Sequence, residues 1–189
     1  MPISEKRWPI ILADPPWDYE ISAPGREHSH PAQHYPVMSL ADICALPVAD
    51  LASESCVLFL WTTSPCLEQA FEVIRAWGFA YKTSLVWDKE VMGMGHWVRG
   101  QHEDLLIASK GSPPLPPTES VPASVFRERR REHSRKPEAS YRRIEAMYPD
   151  LPKIELFARQ ARPGWMVWGN EVETASMLED DIPEFLRRA

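Results

Sequence analysis

The apolar run at residues 9–13, Pro-Ile-Ile-Leu-Ala, leads directly into Asp14-Pro15-Pro16-Trp17. No other stretch limits the fold so tightly. A β-branched apolar run without polar alternation has the pattern of a strand buried on both faces, as in the middle of a parallel sheet. Neither proline has an N–H for a sheet ladder, so the strand must stop at Asp14 and leave its carboxylate at the carboxyl edge of the sheet. Open α/β sheets bind ligands at that edge. Trp17 follows on a stiff turn. An acidic acceptor, two backbone carbonyls and a flat aromatic face are thus held together on a segment with little freedom to lose. Such a set suits a flat heterocycle carrying an amino group. In the plainer alternative Asp14 caps the next turn and Trp17 packs in the core.

Further apolar runs at residues 56–61, 79–87, 103–109, 153–158 and 165–168 predict strands, and helices fall between them. Ser39, with Asp42 three residues on, predicts a helix over residues 39–46. Ser64 as cap and Pro65 at the first helical position predict another, reaching about Trp77, with Leu67, Ala70, Phe71, Ile74 and Trp77 on one stripe and Gly78 closing it. A third is expected over residues 137–147. Strands alternating with helices point to a three-layer α/β domain, taken as one unit over residues 1–189. Residues 18–38 have no sustained period and are expected to form an active-site loop or lid. Residues 110–136 read as a Pro-rich, then basic, connector. His28, His30 and His34 lack a Cys or carboxylate pattern beside them, so no metal site is predicted. Gly93-Met94-Gly95-His96-Trp97 lacks Gly-Lys-Ser/Thr and is not a nucleotide P-loop.

The formal net charge of −6 argues against a nucleic-acid binder, but the distribution argues otherwise. Charges are screened over about 8 Å in physiological salt, so a local patch counts for more than the sum. Residues 127–136 carry Arg127, Arg129, Arg130, Arg131, Arg135 and Lys136 against Glu128 and Glu132. Arg127, Arg129, Arg130 and Arg131 are expected to track phosphates, a charge run being otherwise a solvated face. Cys44, Cys56 and Cys66 are odd in number and have no Cys-x-x-Cys spacing, which predicts reduced packing residues. No apolar run approaches the roughly 20 residues of a membrane span, and the first residues lack a signal-peptide core, so a cytoplasmic protein is expected.

These residues carry a resemblance to the Asp-Pro-Pro-Trp adenine methyltransferases that use S-adenosylmethionine. This is the family of the eukaryotic mRNA N6-adenosine methyltransferase and of many phage and bacterial adenine methyltransferases. The matching blocks after Asp14 are His34-Tyr35-Pro36-Val37-Met38-Ser39, Leu58-Phe59-Leu60-Trp61-Thr62-Thr63, Trp77-Gly78-Phe79 and Val86-Trp87-Asp88-Lys89. They continue through Gly95-His96-Trp97, His102-Glu103, His133-Ser134-Arg135-Lys136-Pro137, Ile154-Glu155-Leu156-Phe157-Ala158-Arg159, Gly164-Trp165 and Trp168-Gly169-Asn170-Glu171.

The resemblance implies a Rossmann-like, mostly parallel sheet with one antiparallel edge strand, in permuted order with the catalytic strand first and the cofactor strand near the C-terminus. It implies catalytic roles for Asp14, Pro15, Pro16 and Trp17. Asp14, Lys136, Phe157, Arg159, Asn170 and Glu171 are implied to hold S-adenosylmethionine, and Glu103 to lie near the substrate base. Leu156-Phe157-Ala158-Arg159 stands where other methyltransferases have a Gly-x-Gly loop. Only eight residues precede Pro9, where some relatives place an extra strand with an Asp, so no residue is assigned to the adenosyl end of the cofactor. Trp17 and Tyr35 are expected to stack on the target base. The expected partner is nucleic acid, DNA before RNA given the chain's small size, and a homo- or heterodimer is compatible. Two other readings are a silent nucleic-acid-binding partner, which the intact Asp-Pro-Pro-Trp disfavours, and methylation of a protein glutamine, for which related enzymes carry Asn-Pro-Pro-Tyr.

Overall fold

The computed structural model describes residues 7–18, 37–93, 97–131, 135–169 and 172. The interior strand β1, Trp8–Ala13, has side chains that alternate between two cores. Ile11 and Ala13 enter one apolar cluster and Ile10 and Leu12 the other, the period of two that a strand imposes. A strand apolar on both sides needs a layer on each. It also needs partners at both edges, and it pairs in parallel with β2, Ala52–Thr62, and β6, Lys153–Leu156.

The first layer is α1, Leu40–Ala45, α2, Val48–Leu51, and α3, Leu67–Ala76, which bring Ile43, Val48, Leu51, Ala70, Val73 and Ile74 to the Ile11 side. The second is α4, Glu138–Met147, which brings Tyr141, Ile144 and Met147 to the Leu12 side. With β3, Ala80–Asp88, β4, His102–Lys110, β5, Val125–Arg127, and β7, Trp165–Trp168, the sheet has the order β5-β3-β4-β2-β1-β6-β7. This is the expected three-layer, mostly parallel α/β fold.

Several local expectations are corrected. The antiparallel strand is β4, and it lies between β3 and β2 rather than at the edge. The link from β3 to β4 contains no helix among the described residues, and a chain without a crossover helix returns antiparallel. The edge beyond β3 is taken by β5, a three-residue parallel strand inside the segment expected to be a plain connector. Its single buried residue, Phe126, is too weak a pattern to read from the sequence. The helix expected from Ser64 begins instead as a 3₁₀ turn, Ser64–Cys66, with Thr63 as its cap residue, before α3 starts at Leu67. Pro65 fits that turn because a first-turn N–H has no intrahelical partner. On α3 the buried stripe is Ala70, Val73, Ile74 and then Trp77, while Leu67 and Phe71 are half-buried. Ser39 caps α1 as expected, accepting from the Asp42 N–H at 3.1 Å, and Gly78 follows α3 at φ 79.

Candidate active site

The chain leaves β1 toward β2 on one side and leaves β6 toward β7 on the other. Where neighbouring strands diverge in this way, a crevice opens at their carboxyl ends. Asp14 stands at the end of β1, its N–H donating to the Leu156 carbonyl at 3.4 Å, so the ladder with β6 persists to the last residue before the prolines. β6 ends at Leu156, and the next residue, Phe157, takes the left-handed φ of 64 and turns the chain. Such backbone is costly for a non-glycine residue and concentrates at functional sites. Beyond it the Ala158 N–H donates to the Trp168 carbonyl at 2.8 Å, tying the end of β6 to the end of β7.

Charged side chains from three distant segments meet there. Lys136, on the residue before the α4 cap Pro137, places Nζ 3.0 Å from Asp14 Oδ1 and 3.1 Å from Glu103 Oε2. Lys89 Nζ lies 3.2 Å from Glu103 Oε1. Lys136 and Asp14 are only 12% and 16% exposed, and buried charges need partners of this kind. Two carboxylates face two ammonium groups, so the cluster is near neutral. Burial raises the Asp14 pKa, opposed by Lys136 and by the more distant Arg159. Burial would also raise Glu103, but Lys136 and Lys89 outweigh it and hold that carboxyl below its ordinary value. Lys136, between two carboxylates, is held firmly protonated despite its burial. Its ammonium also sits 5.3 Å from the centre of the Trp61 ring, a favourable cation–π distance.

The α4 end of the cluster is itself braced. Glu128 accepts from the N–H groups of Glu138 and Ala139 at 3.0 and 2.9 Å, supplying the anionic cap that a helix N-terminus favours. Arg131 reaches Glu128 and Glu138, and Arg127 pairs with Asp88 at 3.1 Å. These two arginines, expected to track phosphates, thus have carboxylate partners within the fold. Arg129 and Arg130 are exposed on the same segment.

Trp17, expected to stack on the target base, packs in the core. It is 6% exposed, belongs to the core cluster on the α1–α3 side, and its indole N–H donates to the Trp61 carbonyl at 3.0 Å. The plainer reading of this residue is the one realised, because the Pro-Pro turn directs the ring inward. The Pro15 carbonyl accepts the Trp17 N–H at 2.8 Å and the Pro16 carbonyl accepts the Met38 N–H at 3.0 Å. Each keeps a second lone pair. Phe157 packs edge-on against Trp168 with ring centres 5.4 Å apart. Tyr35, Asn170 and Glu171 lie outside the described residues, as do His28, His30 and His34. Among the described residues no group of His, Cys, Asp or Glu is arranged to hold a metal ion, and no helix is long and apolar enough to cross a membrane.

Three contributors went unassigned from the sequence. Lys89 directly follows β3 and Trp61 is the last residue but one of β2, at the same edge of the sheet, which was a usable signal. Glu155, a carboxylate inside the apolar run Ile154-Glu155-Leu156, was another. It is buried on β6, accepts the Tyr141 hydroxyl at 2.7 Å and is pushed by burial up to about 7.

The residues present fit a zwitterionic methyl donor. Lys136 would face the carboxylate of its methionine end, and Asp14 and Glu103 its ammonium. Trp61 Nε1 is a buried donor with no partner among the described residues, which leaves a hydrogen bond to offer beside Lys136.

Residues 8–171 match the family described as MT-A70. The chain is 35% identical over 186 residues to the Type II methyltransferase M.MunI of Mycoplasma sp, covering 90% of this chain and 80% of that one. It is 28% identical over 183 residues to the N(6)-adenosine-methyltransferase MT-A70-like protein of Arabidopsis thaliana, covering 92% of this chain and 25% of the other. Against the human N(6)-adenosine-methyltransferase catalytic subunit METTL3 the identity is 27% over 186 residues, covering 93% of this chain. The chain spans 30% of METTL3's length.

Proposed function

The chain belongs to the MT-A70 family, and from that premise we propose that it transfers the methyl group of S-adenosylmethionine to the exocyclic N6 nitrogen of adenine in nucleic acid, with DNA preferred over RNA. The observation that carries this reading is the Asp14–Lys136–Glu103 cluster at the diverging carboxyl ends of β1 and β6. DNA is preferred because the chain covers 80% of the Type II methyltransferase but only a quarter to 30% of the adenosine methyltransferases.

S-adenosylmethionine, when bound, supplies a methyl group on a positively charged sulfur. The protein's part is to present a poor nucleophile to it. Adenine's amino lone pair is spread into the ring, and its two hydrogens are donors. Asp14 Oδ1 is engaged by Lys136, which leaves Oδ2 to accept one of those hydrogens. The second lone pair of the Pro15 carbonyl is suited to the other. Both bonds draw electron density toward nitrogen and fix its direction. As nitrogen gains its methyl, one proton must leave, and Asp14, its pKa raised by burial, is the acceptor beside it. In-line positioning can supply about 7–11 kcal/mol, against about 1.5–3 for one charge-assisted hydrogen bond. Asp14 therefore acts chiefly by placement.

The test is incubation with methyl-labelled S-adenosylmethionine and matched DNA and RNA oligonucleotides, followed by identification of the labelled nucleoside. N6-methyldeoxyadenosine is expected. N6-methyladenosine from RNA alone would reverse the preference, and no methylated adenine from either would sink the reading.

A further inference from the structure

We propose that Lys89 is a positioning residue for methyl transfer, holding the Glu103 carboxylate near Asp14 on the side from which the target base enters. This rests on the adenine methyltransferase reading above and deepens it. Lys89 Nζ lies 3.2 Å from Glu103 Oε1, while Glu103 Oε2 is taken by Lys136 Nζ at 3.1 Å. An ion pair in open solvent contributes little and carries no role by itself. This pair differs in two ways. Its side chains are only 19% and 15% exposed, and its carboxylate is shared with the ammonium group that binds Asp14.

The backbone of Lys89 is fixed before its side chain is. Lys89 directly follows β3, where the link to β4 opens as a paired loop stem. Its N–H donates to the Gln101 carbonyl at 2.8 Å, and further out the Gly93 N–H donates to the Gly100 carbonyl at 2.7 Å. The segment after β5 lies along that stem, the Glu128 N–H donating to the Asp88 carbonyl at 3.3 Å and the Arg130 N–H to the Lys89 carbonyl at 3.2 Å. Lys89 is thus held at both its N–H and its carbonyl, the kind of support that a precisely placed side chain requires.

The sheet order puts Glu103 on the base side of Asp14. β6 and β7 flank β1 on one side, and β2, β4 and β3 lie on the other. The crevice at the diverging ends of β1 and β6 is on the first side, so a nucleophile that reaches it in line, past Asp14, comes from the side of β2 and β4. Lys136 spans that second side, reaching from Asp14 over the Trp61 ring of β2 to Glu103 on β4. As the adenine nitrogen gains its methyl, the base gains positive charge, and an ionised carboxylate near it stabilises that charge. Burial favours the neutral form of Glu103, and Lys136 and Lys89 oppose it. Asp14 and Asp104 are the carboxylates near enough to feel the charge of Glu103. Lys136 is also turned to Asp14 and to the cofactor's carboxylate, whereas Lys89 serves Glu103 alone among the ion pairs of the described residues.

The test follows methyl transfer to the oligonucleotide that wild type methylates, at about pH 6 and about pH 8, in Lys89→Met, Lys89→Arg, Glu103→Gln and the double variant Lys89→Met with Glu103→Gln. Binding of S-adenosylhomocysteine, measured by calorimetry, is the readout free of turnover. Lys89→Met is expected to lower kcat/KM for the oligonucleotide about tenfold at the lower pH and less at the higher, because Glu103 then takes up a proton more readily and the acid limb moves to higher pH. Lys89→Arg keeps the charge and should retain most of the rate. S-adenosylhomocysteine affinity should change by less than about twofold in Lys89→Met. In the Glu103→Gln background, loss of Lys89 should have no further effect on methyl transfer, since Lys89 acts through that carboxylate. Wild-type kinetics in Lys89→Met, a loss equal at both pH values, a loss that persists in the Glu103→Gln background, or cofactor-product binding weakened as much as turnover would each overturn this role and leave the methyltransferase reading standing. A wild type that methylates adenine in neither DNA nor RNA overturns both readings.

Discussion

At the scale of single residues the site depends on ionised groups that burial would otherwise neutralise. Asp14→Ala removes the proposed acceptor and proton destination while leaving Lys136 its contact with Glu103, so the fold should persist. Methyl transfer should fall by at least about 10²–10³, the cost of losing one preorganised group, measured in single turnover alongside circular dichroism. Wild-type turnover would remove Asp14 from the mechanism. Glu155 makes a different prediction. Its carboxyl rises from 4.5 to about 7, because burial outweighs the bond from Tyr141 and nearby Asp14 adds repulsion. The folded chain therefore holds a proton that the unfolded chain releases between those values. The resulting stability is fully present below pH of about 4.5, declines as pH rises to about 7, and is flat above. Its size is on the order of 3 kcal/mol. Glu155→Gln keeps an acceptor for Tyr141 and should flatten that part of the profile in urea melts at pH 5 and 8; an unchanged slope would contradict the assignment.

At the scale of elements, two glycines separate backbone strain from close approach. Gly78 ends α3 at φ 79 with no atom within 4 Å of an added Cβ, so Gly78→Ala should cost only the left-handed penalty of about 1–2 kcal/mol and spare activity. Gly169, past β7, would drive a Cβ into the Ala158 backbone, its carbonyl oxygen first. Gly169→Ala must push the ends of β6 and β7 apart, costing about 3 kcal/mol. Because Phe157 and Arg159 flank Ala158, it should also lower methyl transfer. Thermal melts of both variants check the order, each kcal/mol being worth roughly 2–4 °C for a chain of this size. The element scale is also where sequence reading failed most. Strands β1, β6 and β7 announce themselves as apolar runs, while β5 has one buried residue and exists because β3 offers it an edge.

At the scale of the whole molecule, a net charge of −6 must coexist with the proposed binding to a polyanion. The fold divides the basic run to allow it. Arg127 and Arg131 pair with carboxylates of the fold, whereas Arg129 and Arg130 are exposed beside the loop stem. Arg129→Ala with Arg130→Ala should reduce the slope of log binding constant against log salt by about 2, each phosphate contact being worth about 0.9. Arg131→Ala should leave that slope and lower stability, and a titration in which the two variants behave alike would refute the division. The sequence by itself determined the layers, the strand end at Asp14 and the family, because apolar period, proline and contiguous motifs are local properties of a chain. Only the tertiary structure decided that Trp17 is core, that Lys136 lies between Asp14 and Glu103, and that β4 runs antiparallel inside the sheet. Those outcomes depend on which distant residues share a space, and no local pattern encodes that.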